Sequence, residues 1–315
     1  GLRCGSSPPS LSAYPLFRHQ NPDIAAVVLP GKFIKEAVIA AAQAGVKGVS
    51  PDKPIEARLS DVDAMVEECE KRGVLFAGGN LQRAMGEVQE AARWLRAGDY
   101  GPLRGASVHN WGGEISGGGC QHIAVLRLFT HAEITEVIAW GHPQEALESA
   151  EDTGLVINGQ FQLSNGLSCP VFGSASDRKG VAVWSDDALI SWDWDPPTIF
   201  QGFDDKGARI AVDRPYTPLE YPRFSYLGTS ILSFLDVLEN GGELYVSGHD
   251  LRQSLEAAIA AKYSALWGSV PLKLPLQDRS LTLYPRPYRW LGGDHDDLVQ
   301  TAEEALEGQL FPRTA

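Results

Sequence analysis

A strand–helix–strand pattern near the start of the chain constrains the fold more than any other feature of the sequence. Residues 24–29 (IAAVVL) form a continuous apolar run, as a buried parallel strand requires. Residues 31–45 then carry apolar side chains at helical spacing and end in Gly45, which is suited to stop a helix. A second apolar run follows at residues 46–49. Because parallel strands need such a crossover, the segment predicts a parallel α/β sheet.

The same alternation continues to about residue 102. An amphipathic helix is predicted at residues 61–72 with Ser60 as its N-cap, and a third buried strand at residues 74–77. A loop and a further helix at about residues 85–96 complete this part of the chain. The first fold prediction is therefore a doubly wound, Rossmann-like α/β domain over residues 1–102.

The second part of the chain has a different pattern. Residues 153–212 contain short strand-like runs separated by turn signals such as SNG and DDKG, which predicts an antiparallel meander. Helices are predicted at residues 225–238 and 250–267. We expect an α+β domain over residues 103–315 with a large, mostly antiparallel sheet. Its strands are apolar in both phases of the alternation, which predicts a homo-oligomer interface on the sheet.

Composition excludes several classes of partner. The chain has 315 residues, of which 43% are hydrophobic, enough for two cores. A net charge of −13 without a basic stripe argues against nucleic acid and anionic membranes, and no apolar run reaches the roughly 20 residues of a membrane span. The four cysteines lack the spacing of zinc ligands or of a disulfide framework. We predict no metal site and a cytoplasmic location.

Several short motifs occur in an order and spacing that one enzyme family shares. They are AGVKGV at residues 44–49 with DKP at 52–54, GGNLQR at 78–83, GGGCQH at 117–122 and SGHD at 247–250. Each motif is short, but together they resemble the Gfo/Idh/MocA oxidoreductases, the glucose–fructose oxidoreductase and inositol dehydrogenase family. The resemblance extends over about residues 23–276.

The resemblance implies an oxidoreductase that transfers a hydride between a nicotinamide cofactor, NAD or NADP, and a hydroxyl of a sugar, sugar acid or inositol-like polyol. His122 would take the hydroxyl proton, and Lys53 would bind that hydroxyl or lower the pKa of the base, so the two should face one cleft. The family places cofactor contacts at Pro30, Asp52, Lys53 and Asn80. Substrate contacts would come from Gln82, Arg83, Trp111 and Gln121.

The residues also allow structural interpretations. His122 could cap its helix, and Arg83 could pair with a nearby carboxylate instead of binding substrate. Trp192 and Trp194 are expected to pack in the sheet, whereas Trp111, beside a glycine pair, is the tryptophan expected at a pocket.

Two departures from the family pattern leave the function open. No GxGxxG motif occurs in the sequence, so the chain either lacks the first βαβ unit or has lost the main grip on the cofactor. We therefore expect weak or absent NAD(P) binding by this chain alone. Gly118 stands where the family commonly has an aspartate, with Glu114 or Ser116 as possible substitutes. The alternatives are a small-molecule- or partner-binding pseudoenzyme, and an NAD-dependent glycoside-cleaving or redox-neutral variant.

Overall fold

The computed structural model describes residues 17, 19–20, 22–79, 81–111, 114–174, 178–218 and 225–291. Its first elements are β1 (Ile24–Val27), α1 (Gly31–Ala44), β2 (Gly48–Pro51), α2 (Leu59–Arg72) and β3 (Leu75–Phe76). The strands form a three-stranded parallel sheet in the order β1-β2-β3. The predicted parallel α/β arrangement is confirmed.

Glycines end the helices of this sheet where the sequence predicts. Gly45 follows α1 at a φ of 89° and Gly73 follows α2 at a φ of 66°, conformations that L side chains rarely adopt. The predicted N-cap Ser60 is wrong, because α2 begins at Leu59. The backbone N–H of Ser60 is already satisfied by the Arg279 carbonyl at 2.8 Å, so this helix start needs no side-chain cap.

The chain then continues through a 3-10 helix (Gln82–Ala84), α3 (Gly86–Ala97), β4 (Gly105–His109), α4 (Cys120–Thr130), β5 (Ile134–His142), α5 (Gln144–Glu148) and β6 (Val156–Leu163). The remaining strands are β7 (Ser168–Phe172), β8 (Gly180–Trp184), β9 (Ala188–Trp192), β10 (Thr198–Phe203), β11 (Arg209–Val212) and β12 (Leu272–Lys273). The last helices are α6 (Ser225–Asn240), α7 (Gly248–Leu266) and α8 (Pro287–Leu291). None of the described helices is both long and apolar enough to cross a membrane.

The second sheet has nine strands in the order β11-β10-β9-β8-β4-β7-β6-β5-β12. Among the described strands of this sheet only the β4–β7 pair is parallel, so the predicted large, mostly antiparallel sheet is confirmed. The predicted uninterrupted meander is wrong at one place, because β4 lies between β7 and β8. Four of the five residues of β4 are buried. In its central position, both edges of this short strand are hydrogen-bonded to neighbouring strands.

Helices cover one face of the large sheet. α7 packs on β5 and α4 packs on β8, with α4 and α7 also in contact. Alternation of the strands turns Val183, Ile190 and Trp192 toward these helices, where all three are buried. The opposite face, which carries Ala182, Leu189 and Ser191, is called the open face below. α7 also contacts α2, so the two predicted domains pack against each other. The predicted domain boundary after residue 102 stays a prediction.

Candidate active site

The turn between β4 and α4 is built around a buried carboxylate that the sequence analysis did not identify. Asp152 accepts hydrogen bonds from the backbone N–H groups of Ile115 at 2.9 Å and Ser116 at 2.5 Å, and from the Ser116 hydroxyl at 2.6 Å. Its burial raises its pKa to about 6, although these bonds favour the charged form. Asp152 lies 36 residues from Ser116 in the sequence, so no local pattern marks the pair.

Other atoms closely approach two glycines of this turn, a side-chain end at Gly117 and a backbone carbonyl at Gly119. A Cβ at Gly117 would lie 2.3 Å from the Glu114 carboxyl carbon, and one at Gly119 would lie 2.4 Å from the Ile115 carbonyl oxygen. The turn delivers the chain directly into α4, which begins at Cys120. His122 is thereby held in the first turn of that helix.

His122 occupies an aromatic environment and has only 4% of its surface exposed. The rings of Trp192 and Trp194 meet it edge-on, with centroids 5.7 and 5.6 Å away, and stack on each other at 5.5 Å. Burial lowers the pKa of His122 to about 4. The backbone of Gly118 and Gly119 favours the charged ring and opposes this decrease, but it is the smaller effect. Neither ring nitrogen forms a hydrogen bond of normal geometry within the described structure. His122 is therefore a neutral imidazole at pH 7.

A cleft of about 340 Å³ opens beside His122. This His122 cleft is lined by Asn110, Glu114, Gly118, Gly119, His122, Lys179, Trp194, Arg286 and Arg289. Trp194 is half-buried and forms part of its wall, so the expectation that this tryptophan only packs in the sheet is wrong. It has a left-handed φ of 82°, which turns the chain at the end of β9.

Glu114 and Ser116, the two substitutes considered for the family aspartate, have different environments. Glu114 lines the cleft, with its Oε2 3.1 Å from Arg289 Nε and its Oε1 accepting a 3.2 Å bond from the backbone of Arg286. Ser116 is buried and donates to Asp152 instead. Sequence reasoning missed Arg286 and Arg289. Their spacing of three residues in the segment PRPYRW is the one local signal, because it places both on one side of a helical turn.

Lys53 lies in the loop after β2, where its backbone N–H donates to Asp52 Oδ1 at 2.8 Å. Its charge acts on Cys120: burial raises the pKa of this thiol to about 12, and Lys53 is the largest charge that opposes the increase. Because Cys120 precedes His122 by two residues, Lys53 acts at the same end of α4 as the cleft. Lys53 is not among the described residues that line the cleft, so a shared cleft stays a prediction.

Two of the predicted substrate contacts have internal partners instead. Arg83 Nη1 lies 3.0 Å from Asp250 Oδ1. This is the pairing with a nearby carboxylate that the sequence analysis gave as the alternative to substrate binding. Gln121 is 3% exposed, and its Oε1 accepts a 2.6 Å bond from the backbone of Gln82. These bonds tie the segment after β3 to α7 through Asp250 and to α4 through Gln121. These internal partners use polar groups of Arg83 and Gln121, and the substrate contacts expected of both residues stay predictions.

Trp111 also lies in the core. It has no exposed surface, packs edge-on against Phe161 at 5.4 Å and donates to the Gly119 carbonyl at 3.1 Å, so the prediction that it faces a pocket is wrong. Asn80 lies outside the described residues. Pro30 and Asp52 follow β1 and β2, at the carboxyl ends of the parallel strands where open sheets bind ligands, and their cofactor contacts remain predictions.

Comparison with known proteins agrees with this fold. Residues 9–79 match the GFO_IDH_MocA model, described as an oxidoreductase family with an NAD-binding Rossmann fold. The structure of an aldose-aldose oxidoreductase from Caulobacter crescentus complexed with glycerol superposes with a TM-score of 0.66 at 20% identity, over 83% of each chain. Levoglucosan dehydrogenase in complex with NADH and levoglucosan superposes at 0.61 and 14% identity, over 80% of each chain. The resemblance to the Gfo/Idh/MocA oxidoreductases is confirmed.

A curated relative matches a shorter part of the chain. The 2,7-anhydro-N-acetylneuraminate hydratase of Mediterraneibacter gnavus is 33% identical over 88 residues. The match covers 28% of this chain and 23% of the relative.

The Gfo/Idh/MocA resemblance implies a nicotinamide dinucleotide, and the described residues suit one end of it. The loops after the strands are tied together, since Asp52 N donates to the Val27 carbonyl and Gly79 N to that of Pro51. A diphosphate needs free backbone N–H groups at a helix N-terminus, but the Trp290 side chain covers the start of α1, 2.8 Å from where a Cβ of Gly31 would lie. The start of α1 is therefore not free for a diphosphate, and the contacts expected from Pro30 and Asp52 at the nicotinamide end stay predictions.

Proposed function

We propose that the protein is an NAD(P)-dependent oxidoreductase that oxidises a hydroxyl of a sugar, sugar acid or inositol-like polyol. The observation that carries the proposal is His122, a buried imidazole at the wall of a cleft, with neither ring nitrogen in a hydrogen bond of normal geometry to the described residues. His122 would take the proton of the substrate hydroxyl, and a bound oxidised nicotinamide would supply the acceptor for the hydride of the adjacent C–H bond. A neutral histidine is ready for this proton transfer at pH 7.

The surroundings of His122 keep it in the deprotonated form that can accept a proton, while the lowered pKa makes it a weaker base than a free imidazole. Trp192 and Trp194 exclude water from the ring and keep it neutral, so no proton has to leave before the reaction. Trp194 also presents an apolar ring surface to the cleft, on which the C–H face of a sugar can stack. The names of the C. crescentus and levoglucosan enzymes favour a sugar substrate.

Substitution of His122 by glutamine tests the proposal. Reduction of NAD and NADP would be followed with a panel of sugars, sugar acids and polyols, at millimolar cofactor to offset a weak diphosphate grip. Removal of a general base lowers kcat by about 100-fold or more. The matched control is His249→Gln, at an exposed position of α7, for which we expect unchanged turnover. Equal kcat in both variants would exclude His122 as the base, and a wild-type chain that binds sugars without turnover would favour the pseudoenzyme.

A second candidate is a redox-neutral reaction on the same scaffold. It is favoured by the M. gnavus relative, whose name is that of a hydratase, although the match covers 88 residues. In such a reaction product accumulates without net formation of reduced nicotinamide. Product analysis by NMR beside the nicotinamide absorbance distinguishes the two candidates.

A further inference from the structure

We propose that the His122 cleft binds a sugar that carries an anionic group, a carboxylate or a phosphate, and that Arg286 and Lys179 hold this group. The inference rests on the proposed function and narrows its substrate class.

The balance of charge in the cleft is the first argument. Its lining includes three cations, Lys179, Arg286 and Arg289, and one carboxylate, Glu114. Glu114 is paired with Arg289 at 3.1 Å. From Arg286 it accepts a hydrogen bond of the backbone N–H, which leaves the guanidinium charge of Arg286 unused. The charges of Arg286 and Lys179 form no ion pair within the described residues. This positive cluster occurs in a chain whose net charge is −13, so it is a local feature.

The hydrogen-bonding state of Arg286 is the second argument. Its Nε is buried and has no hydrogen-bond partner in the described structure. A buried N–H without a partner is costly, and buried guanidinium groups that have none in the protein are suited to bind a ligand. A guanidinium fork matches the planar geometry of a carboxylate or two oxygens of a phosphate. Both ring nitrogens of His122 are likewise buried without a hydrogen-bond partner among the described residues.

Positive charge continues beyond the cleft. Asn110 and Lys179 also line a cavity of about 760 Å³ on the open face of the large sheet, together with Arg178 and Arg209. Nη1 of Arg209 is buried without a hydrogen-bond partner, and Asp193 is the acidic residue in that lining. The additional cations make the rim of the cleft attractive to anions, which raises their local concentration.

Binding measurements without cofactor turnover test the inference. Calorimetry would compare D-glucose, D-glucuronate, D-glucose 6-phosphate and inorganic phosphate on the full chain. We expect one anionic sugar to bind about 10-fold or more tightly than glucose, and its identity distinguishes a carboxylate from a phosphate site. Equal affinity for glucose and both anionic sugars would overturn the inference. So would inorganic phosphate that binds as tightly as glucose 6-phosphate, because the sugar would then not be recognised.

Charge-removing variants locate the site. Arg286→Gln keeps the backbone hydrogen bond to Glu114. We expect Arg286→Gln and Lys179→Gln each to lower the affinity for the anionic sugar about 10-fold and to leave the affinity for glucose unchanged. The control Lys273→Gln removes the same charge from an exposed position in β12, at the far edge of the sheet. Circular dichroism establishes that each variant is folded, and Arg286→Lys should retain intermediate affinity. Unchanged affinity in folded Arg286→Gln would overturn the assignment.

The two proposals fail in different ways. If anionic sugars bind tightly but no hydride is transferred, the proposed oxidoreductase function is wrong and the anion site stands. If neutral sugars are oxidised without preference for an anionic group, the function stands and the anion site is wrong.

Discussion

At the scale of single residues, the chemistry of the cleft depends on a histidine that is kept neutral. An exposed histidine changes charge near pH 6.5, whereas burial between two tryptophans lowers the pKa of His122 to about 4. The two tryptophan rings that pack on His122 carry no negative charge that would stabilise an imidazolium. His122, the proposed base, is consequently deprotonated over the whole physiological range.

Trp194→Ala should raise the pKa of His122 toward its ordinary value, because the substitution opens the ring to water. Imidazole titration by NMR measures this directly and needs no turnover. The control Trp140→Ala removes a tryptophan that is 53% exposed on β5, and it should leave the titration near pH 4. A titration that Trp194→Ala leaves in place would show that this ring does not cause the desolvation.

Glu56 provides a second residue-scale prediction. It is 3% exposed, and burial raises its pKa to about 7 from an ordinary 4.5, with further effects from Asp61, Lys35 and Arg58. Because the folded-state pKa is the higher one, the folded state is fully favoured below pH 4.5 and loses stability as the pH rises through 7. The loss approaches roughly 3 kcal/mol in the free energy of unfolding.

Glu56→Gln should therefore be more stable than the wild type at pH 8 and equally stable near pH 4. Glutamine retains the oxygen that accepts the 2.8 Å bond from Ala57. Urea unfolding at both pH values measures the difference, with Glu239→Gln at an exposed position of α6 as the control. Equal stability at pH 8 would mean that Glu56 does not titrate in this range.

At the scale of secondary structure elements, a buried ion network joins α4 to the start of α7. Asp250 Oδ1 lies 2.6 Å from Arg127 Nη1 and 3.0 Å from Arg83 Nη1, and Asp250 also forms a capping box with Ser247. Arg83 carries the loop after β3 into the same network. The contacts hold the element that bears His122 against both of its neighbours.

Asp250→Asn should cost about 3 to 5 kcal/mol in the free energy of unfolding, because Arg83 loses its counter-charge and Arg127 keeps only Glu133. Thermal or urea denaturation measures this cost. The control Asp236→Asn changes an exposed aspartate of α6 and should shift the unfolding free energy by less than about 0.5 kcal/mol. A cost as small as that of the control would mean that solvent screens the network.

The sequence predicts local features of these elements well and long-range pairing poorly. The order β1-α1-β2 and the stops at Gly45 and Gly73 follow from apolar periodicity and from backbone conformations that glycine adopts easily. The insertion of β4 between β7 and β8 depends on pairing across more than sixty residues, which periodicity does not encode. For the site, the motif resemblance located His122. The contacts of Asp152 and Arg286 depend on tertiary packing, so the sequence did not reveal them.

At the scale of the whole molecule, the open face of the large sheet predicts self-association. Its strands carry exposed apolar side chains, including Trp140, Phe172 and Phe203, which are 53%, 41% and 55% exposed. We expect a homo-oligomer in light scattering at micromolar concentration. The double variant Trp140→Glu/Phe172→Glu should dissociate it, whereas Ile231→Glu on the exposed side of α6 should not. A wild-type monomer under these conditions would contradict the prediction.

The cofactor gives the last prediction at this scale. The sequence has no GxGxxG motif, and Trp290 covers the N-terminus of α1, so the start of this helix offers few backbone N–H groups to a diphosphate. The expected contacts from Pro30, Asp52 and Lys53 lie at the nicotinamide end alone. We therefore expect NAD and NADP to bind weakly or not at all.

Calorimetry with NAD, NADP and nicotinamide mononucleotide measures what the diphosphate and adenosine contribute. If the nicotinamide end supplies the contacts, the mononucleotide should bind about as well as the complete dinucleotides. Trp290→Ala uncovers the α1 N-terminus. We expect this variant to gain little affinity for NAD or NADP, because a single helix end without the glycine turn binds a diphosphate weakly. A low-micromolar dissociation constant for NAD or NADP, lost for the mononucleotide, would show that another segment of the chain binds the phosphates.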